Sequence, residues 1–177
     1  MKSARMVSLA AIAIPLWAGC APRPAPTAPD AERPYLNLLV EQQNFNTEEG
    51  PGAPMDACAE VSRFPTQVVL STSDRGGGGI ATVGVGVFQG TISDVSVTPN
   101  TADTRLTSDR STHLLLITPR PPAGTAQPNL VATFQVDQEA AVTVWVTDTS
   151  GHRADLFQVD LRRAGDPVIC RGETVTE

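Results

Sequence analysis

Lysine is nearly missing from this chain. Lys2 is the only one in 177 residues, so arginine carries almost all of the positive charge, and 13 basic against 19 acidic side chains leave a net charge of -6. A surface of that sign repels phosphate backbones and argues against nucleic acid as a partner. Histidine occurs twice, at His113 and His152, with no Cys-x-x-Cys or His-x-x-x-His spacing beside it, so zinc has no donor set. No Gly-x-Ser-x-Gly is present to give either histidine a serine nucleophile, and the chain reads as having no catalytic residues and no cofactor. Calcium loops of the Asp-x-Asp-x-Asp type are missing too, and Asp137, Glu139, Asp148, Asp155 and Asp160 read as acids on solvated strand edges, with no metal. Gly76 to Gly79 feeds a strand and is followed by no Lys-Ser/Thr pair, which excludes a phosphate loop and leaves a flexible hairpin connection. No apolar run is long enough to cross a bilayer; the longest, Met6 to Trp17, has about 12 residues.

What is present first is an address. Lys2 and Arg5 precede that apolar run, and Leu16-Trp17-Ala18-Gly19-Cys20 closes it with small residues, the order of a secretory signal. These five residues resemble the lipobox of bacterial lipoproteins, with Trp17 where Leu is usual and Leu16 one place earlier. The resemblance implies a signal peptide over 1–19 and acylation of Cys20, palmitate included, which would anchor the chain in a membrane. Ordinary signal cleavage near Ala21 is the competing reading. Ala21 follows the cysteine where inner-membrane lipoproteins of enteric bacteria commonly carry Asp. The implied location is therefore the outer membrane, facing the periplasm or the cell surface. Loss of Lys2 and Arg5 would take the net charge to about -8.

Three cysteines are an odd count for an oxidising compartment. A lipid on Cys20 leaves Cys58 and Cys170 as the only pair that can bridge, tying the start of the domain to its end; two separate buried thiols are the alternative. In the loop-entropy model that bridge would restrict the unfolded chain by about 4 to 5 kcal/mol. Residues 20–34 form a Pro-rich linker, APRPAPTAPDAERP after the cysteine. It favours polyproline II at about 3.1 Å per residue and would hold a domain roughly 40 Å from the lipid. A Pro-x-x-Pro ligand for a partner is the sharper alternative there.

Residues 35–66 read as an N-terminal extension that contains Cys58. Tyr35 to Val40 suits a first strand or a docking segment, Glu41 to Met55 is polar and ends in Gly50-Pro51-Gly52-Ala53-Pro54, and Asp56 to Arg63 suits one helical turn. From Gln67 to the end, strands recur between Gly, Pro, Asn and Asp punctuation. Val68 to Thr72 is the first. In Ile80 to Phe88, Ala81, Val83, Val85 and Val87 share one face, and Gly84 and Gly86 on the other predict close packing or a bend. Ile92 to Val97 precedes a polar excursion from Pro99 to Thr112. Leu114 to Thr118 is a continuous apolar run, as in a strand buried on both faces, followed by a Pro/Gly loop to Pro128. Leu130, Ala132, Phe134 and Val136 alternate inward, as do Val142, Val144 and Val146, then Phe157, Val159 and Leu161. Asp148-Thr149-Ser150-Gly151 makes the last two a hairpin. Trp145 projects opposite Val144 and Val146, either as an exposed anchor for a partner or sugar or covered by the N-terminal segment.

The hairpin AVTVWVTDTSGHRADLFQVDL resembles the closing strands of bacterial immunoglobulin-like domains. The wider order, HLLLITPRP, a Pro/Gly loop, PNLV and then that hairpin, is similar to the periplasmic β-sandwich of conjugal-transfer and type IV secretion outer-membrane core proteins. Thr118-Pro119 stands where that family has Lys-Pro, and Pro128 where it has Thr. Both resemblances imply the fold that the spacing predicts: an all-β, two-sheet immunoglobulin-like sandwich over 67–177, closed by Cys170. The expected function is non-enzymatic: an outer-membrane lipoprotein that binds a protein partner in a cell-envelope assembly, with Trp145 and His152 as candidate contact residues. A glycan- or small-ligand-binding module is the alternative.

Overall fold

The computed structural model describes residues 32–47 and 57–165, without the side chains of 156 and 157, as eleven β-strands and no helix. They are β1 (Tyr35–Val40), β2 (Gln43–Asn46), β3 (Ala57–Val61), β4 (Thr66–Ser73), β5 (Ile80–Phe88), β6 (Ile92–Thr98), β7 (Ala102–Asp109), β8 (Thr112–Pro119), β9 (Asn129–Val136), β10 (Ala140–Asp148) and β11 (Arg153–Arg163). Two sheets stack face to face, one in the order β2-β1-β4-β9-β6 and the other β3-β11-β10-β5-β8-β7. Every ladder is antiparallel except β3 against β11. The all-β, two-sheet sandwich is therefore what the chain forms.

Period-two alternation decides the core. Leu36, Leu38 and Val40 of β1, Val68 and Leu70 of β4, and Leu130, Ala132, Phe134 and Val136 of β9 point from one sheet. They meet Val83, Val85 and Val87 of β5, Leu115 and Ile117 of β8, and Val142, Val144 and Val146 of β10 from the other, all essentially inaccessible to water. Such burial of branched side chains is the main stabilising contribution here. Among the described residues two buried side-chain polar atoms lack a hydrogen-bond partner, Arg162 Nε and, within the sandwich, the Thr72 hydroxyl of β4. Thr72→Val keeps the shape and removes that unsatisfied group, so it should raise the unfolding free energy by about 1 kcal/mol in urea titrations.

The structure corrects several expectations. In place of the helical turn expected over Asp56 to Arg63, the described residues from Ala57 on form β3, with Ala59 and Val61 buried because the β11 ladder and the core outweigh local propensity. Glu41 to Met55 contains β2, held to β1 through a two-residue turn in which Glu41 has φ 51°. The polar excursion after Pro99 contains β7, whose mostly exposed residues at a sheet edge give no apolar alternation. Within 35–66, β1 and β2 thus belong to one sheet and β3 to the other.

Three phases also shift. A bulge at the start of β5 pairs Asp148 with Ile80, so Ile80 is buried and Ala81 is not. A second bulge between Val142 and Val144 on the β10–β11 ladder separates buried Ala154 from buried Val159 and Leu161. The side chain of Phe157 lies outside the described residues. Finally, Leu114 to Thr118 is not buried on both faces: Leu115 and Ile117 enter the core, while Leu114 and Leu116 stay half-exposed on the outside of the sheet.

Candidate functional site

The ladders align a row of side chains on the outer face of the six-stranded sheet. Arg105, Leu116, Gly84, Trp145 and Asp155 lie opposite one another across β7, β8, β5, β10 and β11. The next row on that face holds Thr107, Leu114, Gly86 and Thr143, and the one after it Phe88 beside Ala141. Gly84 is where the expected close packing occurs: a Cβ there would sit 2.0 Å from the Trp145 ring, so the indole lies across bare backbone. Arg153 covers the ring from 5.5 Å, held there by Asp155 through bonds of 2.8 and 2.6 Å. Trp145 is thus no free anchor: among the described residues β5 and Arg153, and not β1 or β2, enclose much of it. Phe88 is 41% exposed. Phe88, Leu114, Leu116 and the open part of Trp145 form a flat apolar patch with charged residues at its margin.

One end of the sandwich is fixed by two buried carboxylates. Asp74 accepts from the amides of Gly76 (3.0 Å) and Gly79, so the amides that could cradle a phosphate already hold the chain's own anion. Gly79 has φ 91°, and a Cβ there would meet the Gln127 backbone at 2.9 Å. Thr149 at the tip of the last hairpin bonds Gly79 and Gly78, and Ile80 bonds Gln127. The four-glycine connection is therefore tied down, not slack. Asp148, fully buried, accepts from the His152 amide at 2.8 Å and lies 2.9 Å from His152 Nδ1. That contact makes His152 a lock on the hairpin.

At the opposite end, Phe64, Gln89, Asp137, Gln138, Glu139 and Arg163 line an open cleft of about 590 Å³. Its polar groups largely serve the loops. Asp137 accepts from the Thr91 amide at 2.7 Å, Gln138 donates to the Gln89 carbonyl, and Glu139 accepts from the Arg163 amide and pairs with Arg162. Partial burial pushes the Asp137 carboxyl up, but the Thr91 bonds outweigh it and hold it below the usual aspartate value. Bonds from the Ser62 hydroxyl and amide hold Glu41 low in the same region. Groups whose folded pKa is depressed contribute stability at neutral pH, and that contribution is lost as pH falls through the folded value. Stability should therefore decline below about pH 4, and Asp137→Asn should flatten part of that decline in an acid unfolding series.

His113 and His152 lie at opposite ends of the sandwich, at the start of strand β8 and on the last hairpin, and cannot share a metal or a substrate. Asp160 and Arg162 pair, and among the described residues no three His, Cys, Asp or Glu side chains are grouped to hold a metal ion. Cys58 sits half-buried on β3 opposite Asp160. Cys20, the expected signal peptide, residues 20–31 of the expected linker and Cys170 lie outside the described residues. Among those residues no helix is long and apolar enough to cross a membrane. Sequence reading missed Phe88, Leu114 and Leu116 as a surface; the signal was the unbroken LLLIT run, whose alternate members needed a second place to go.

The class that emerges is a two-sheet β-sandwich with an apolar patch on the outer face of its six-stranded sheet and tightly tied loop ends. Among solved structures it is similar to a DUF4466 family protein from Parabacteroides merdae, at TM-score 0.40 and 9% identity, over 72% of this chain and 44% of that one. It is also similar to a non-cellulosomal cohesin from the archaeon Archaeoglobus fulgidus, at TM-score 0.31 and 12% identity, over 60% of this chain and 85% of that one. The chain spans less than half the length of the Parabacteroides protein. No protein-family model matches the sequence, and no curated protein is similar to it.

Proposed function

We propose that this chain is a non-enzymatic outer-membrane lipoprotein that binds another envelope protein through the outer face of its six-stranded sheet. One observation carries the reading. Leu116 and Trp145, then Leu114, then Phe88 stand in three successive rows on one sheet face, partly in water, with no described strand or loop over them. Grouped apolar side chains left partly in water on a folded surface support a partner site. The lipobox-like Leu16 to Cys20 supports the anchor, and the Pro-rich spacer gives the reach. The separated histidines and the engaged Asp148 support the non-enzymatic part.

Cross-linking in intact cells followed by mass spectrometry tests both halves. Wild type should yield a reproducible envelope partner, and Cys20→Ser should leave the membrane fraction and lose it. A soluble wild type, or no recurrent partner, would sink the proposal.

The second reading, a glycan- or small-ligand module, rests on the cleft around Phe64, which joins an aromatic ring to amide and charged groups. Trp145 does not support it, because Arg153 occupies the ring face that a sugar would need. A blank glycan array would remove it.

A further inference from the structure

Four strands end the two sheets: β2, β6, β3 and β7. A free strand edge invites pairing, and proteins usually blunt it. Three of these are blunted. The side-chain amide of Gln43 bonds both the amide and the carbonyl of Glu60, at 3.3 and 2.7 Å, and so caps β3. β6 carries a register shift between Ser93 and Ser96, with Asp94 at φ 49°. β2 has only four residues. β7 is different: eight residues run in unbroken register against β8, with no bulge and, among the described residues, no second partner.

The side chains of β7 define what would fit. The tight turn at Arg110 and Ser111 makes Asp109 and Thr112 a hydrogen-bonded pair, and alternation then directs the backbone groups of Ala102, Thr104 and Leu106 away from β8. Leu106, opposite buried Leu115, points to the seam between the sheets yet is 46% exposed. An added strand would cover it. Asp103, which pairs at the surface with Arg120, and Arg105 alternate with it on the outer face.

We propose that β7 pairs antiparallel with β7 of a second copy of this chain, about a two-fold axis at Thr104. Charge and apolarity choose that register. With Leu106 opposite itself, Asp103 would face Asp109 twice; with Arg105 opposite itself, two guanidinium groups would collide. A centre at Thr107 would pair Arg105 with Asp109 but set Leu106 against Ser108. At Thr104, Asp103 faces Arg105 twice, Ala102 faces Leu106 twice, and the outward backbone groups form about six hydrogen bonds. The six-stranded sheets then continue through the two-fold axis, and the two apolar outer faces join. The pairing stands independently of what docks on those faces.

Sedimentation of the full chain, in mild detergent where it is membrane-bound, reads the association. A concentration-dependent dimer in the micromolar range is expected. Arg105→Asp should weaken it at least about tenfold, because each new Asp would face Asp103 of the other copy, and adding Asp103→Arg should restore it. Thr104→Cys should give a covalent dimer on oxidation, since paired Cα atoms there would be about 5.5 Å apart. Ser108→Cys should not, because the two copies of that position would be about 25 Å apart. A monomer at every concentration would overturn the proposal. So would a dimer indifferent to Arg105→Asp, bridging at position 108, or capture of a different protein at position 104.

Discussion

Gly84→Val should lower stability by roughly 1–3 kcal/mol and shift tryptophan emission to longer wavelength. The backbone at Gly84 is the floor on which the Trp145 ring rests, and even a methyl group would occupy the space that the indole holds. The ring must then swing out, losing its contact with β5 and its stack under Arg153. Trp17 is the only other tryptophan, so in a chain that begins at Cys20 the fluorescence of Trp145 reports that displacement directly. In a double-mutant cycle the penalty of Gly84→Val should shrink when Trp145 is already alanine, because the two changes act on one contact. If the penalty is the same in both backgrounds, the ring is not what Gly84 accommodates.

Asp148→Ala should cost about 3 kcal/mol in urea denaturation, the largest effect of any substitution considered outside the apolar core. Its carboxylate is wholly buried and satisfies both the amide and the imidazole of His152, closing the hairpin on which Arg153 and Asp155 sit. Alanine leaves the His152 amide without its acceptor. Asp148→Asn keeps an oxygen in the same place and should lose only about a third as much. Equal losses for the two variants would show that charge, and not the acceptor geometry, holds the hairpin.

These two positions also show what a sequence of this kind discloses. Strands with one buried face announce themselves by alternation, as Leu130 to Val136 and Val142 to Val146 do, and Gly84 and Gly86 betray a close neighbour without naming it. Edge strands do not. β2, β3 and β7 bury few side chains, so the pattern that marks a strand is absent from them although the ladder is present. Asp148 reads as an ordinary turn residue and Asp74 draws no notice, because nothing local distinguishes a solvated carboxylate from one that a fold closes over. The bulges at Ala81 and before Val159 are tertiary too, set by the partner strand and not by the bulged one. The outer patch was half legible: the apolar run at Leu114 was seen, but which of its members face water depends on what the second sheet covers.

The proposed docking role of that patch is most directly tested by site-specific photo-cross-linking in living cells, comparing a probe at Thr143, on the patch, with one at Val131, exposed on the outer face of the five-stranded sheet. The account predicts one recurrent envelope protein attached at position 143, absent at 131, and lost when Phe88 and Leu116 are changed to aspartate in a chain that still folds. No adduct at 143, the same adducts at both positions, or an adduct indifferent to those changes would contradict it.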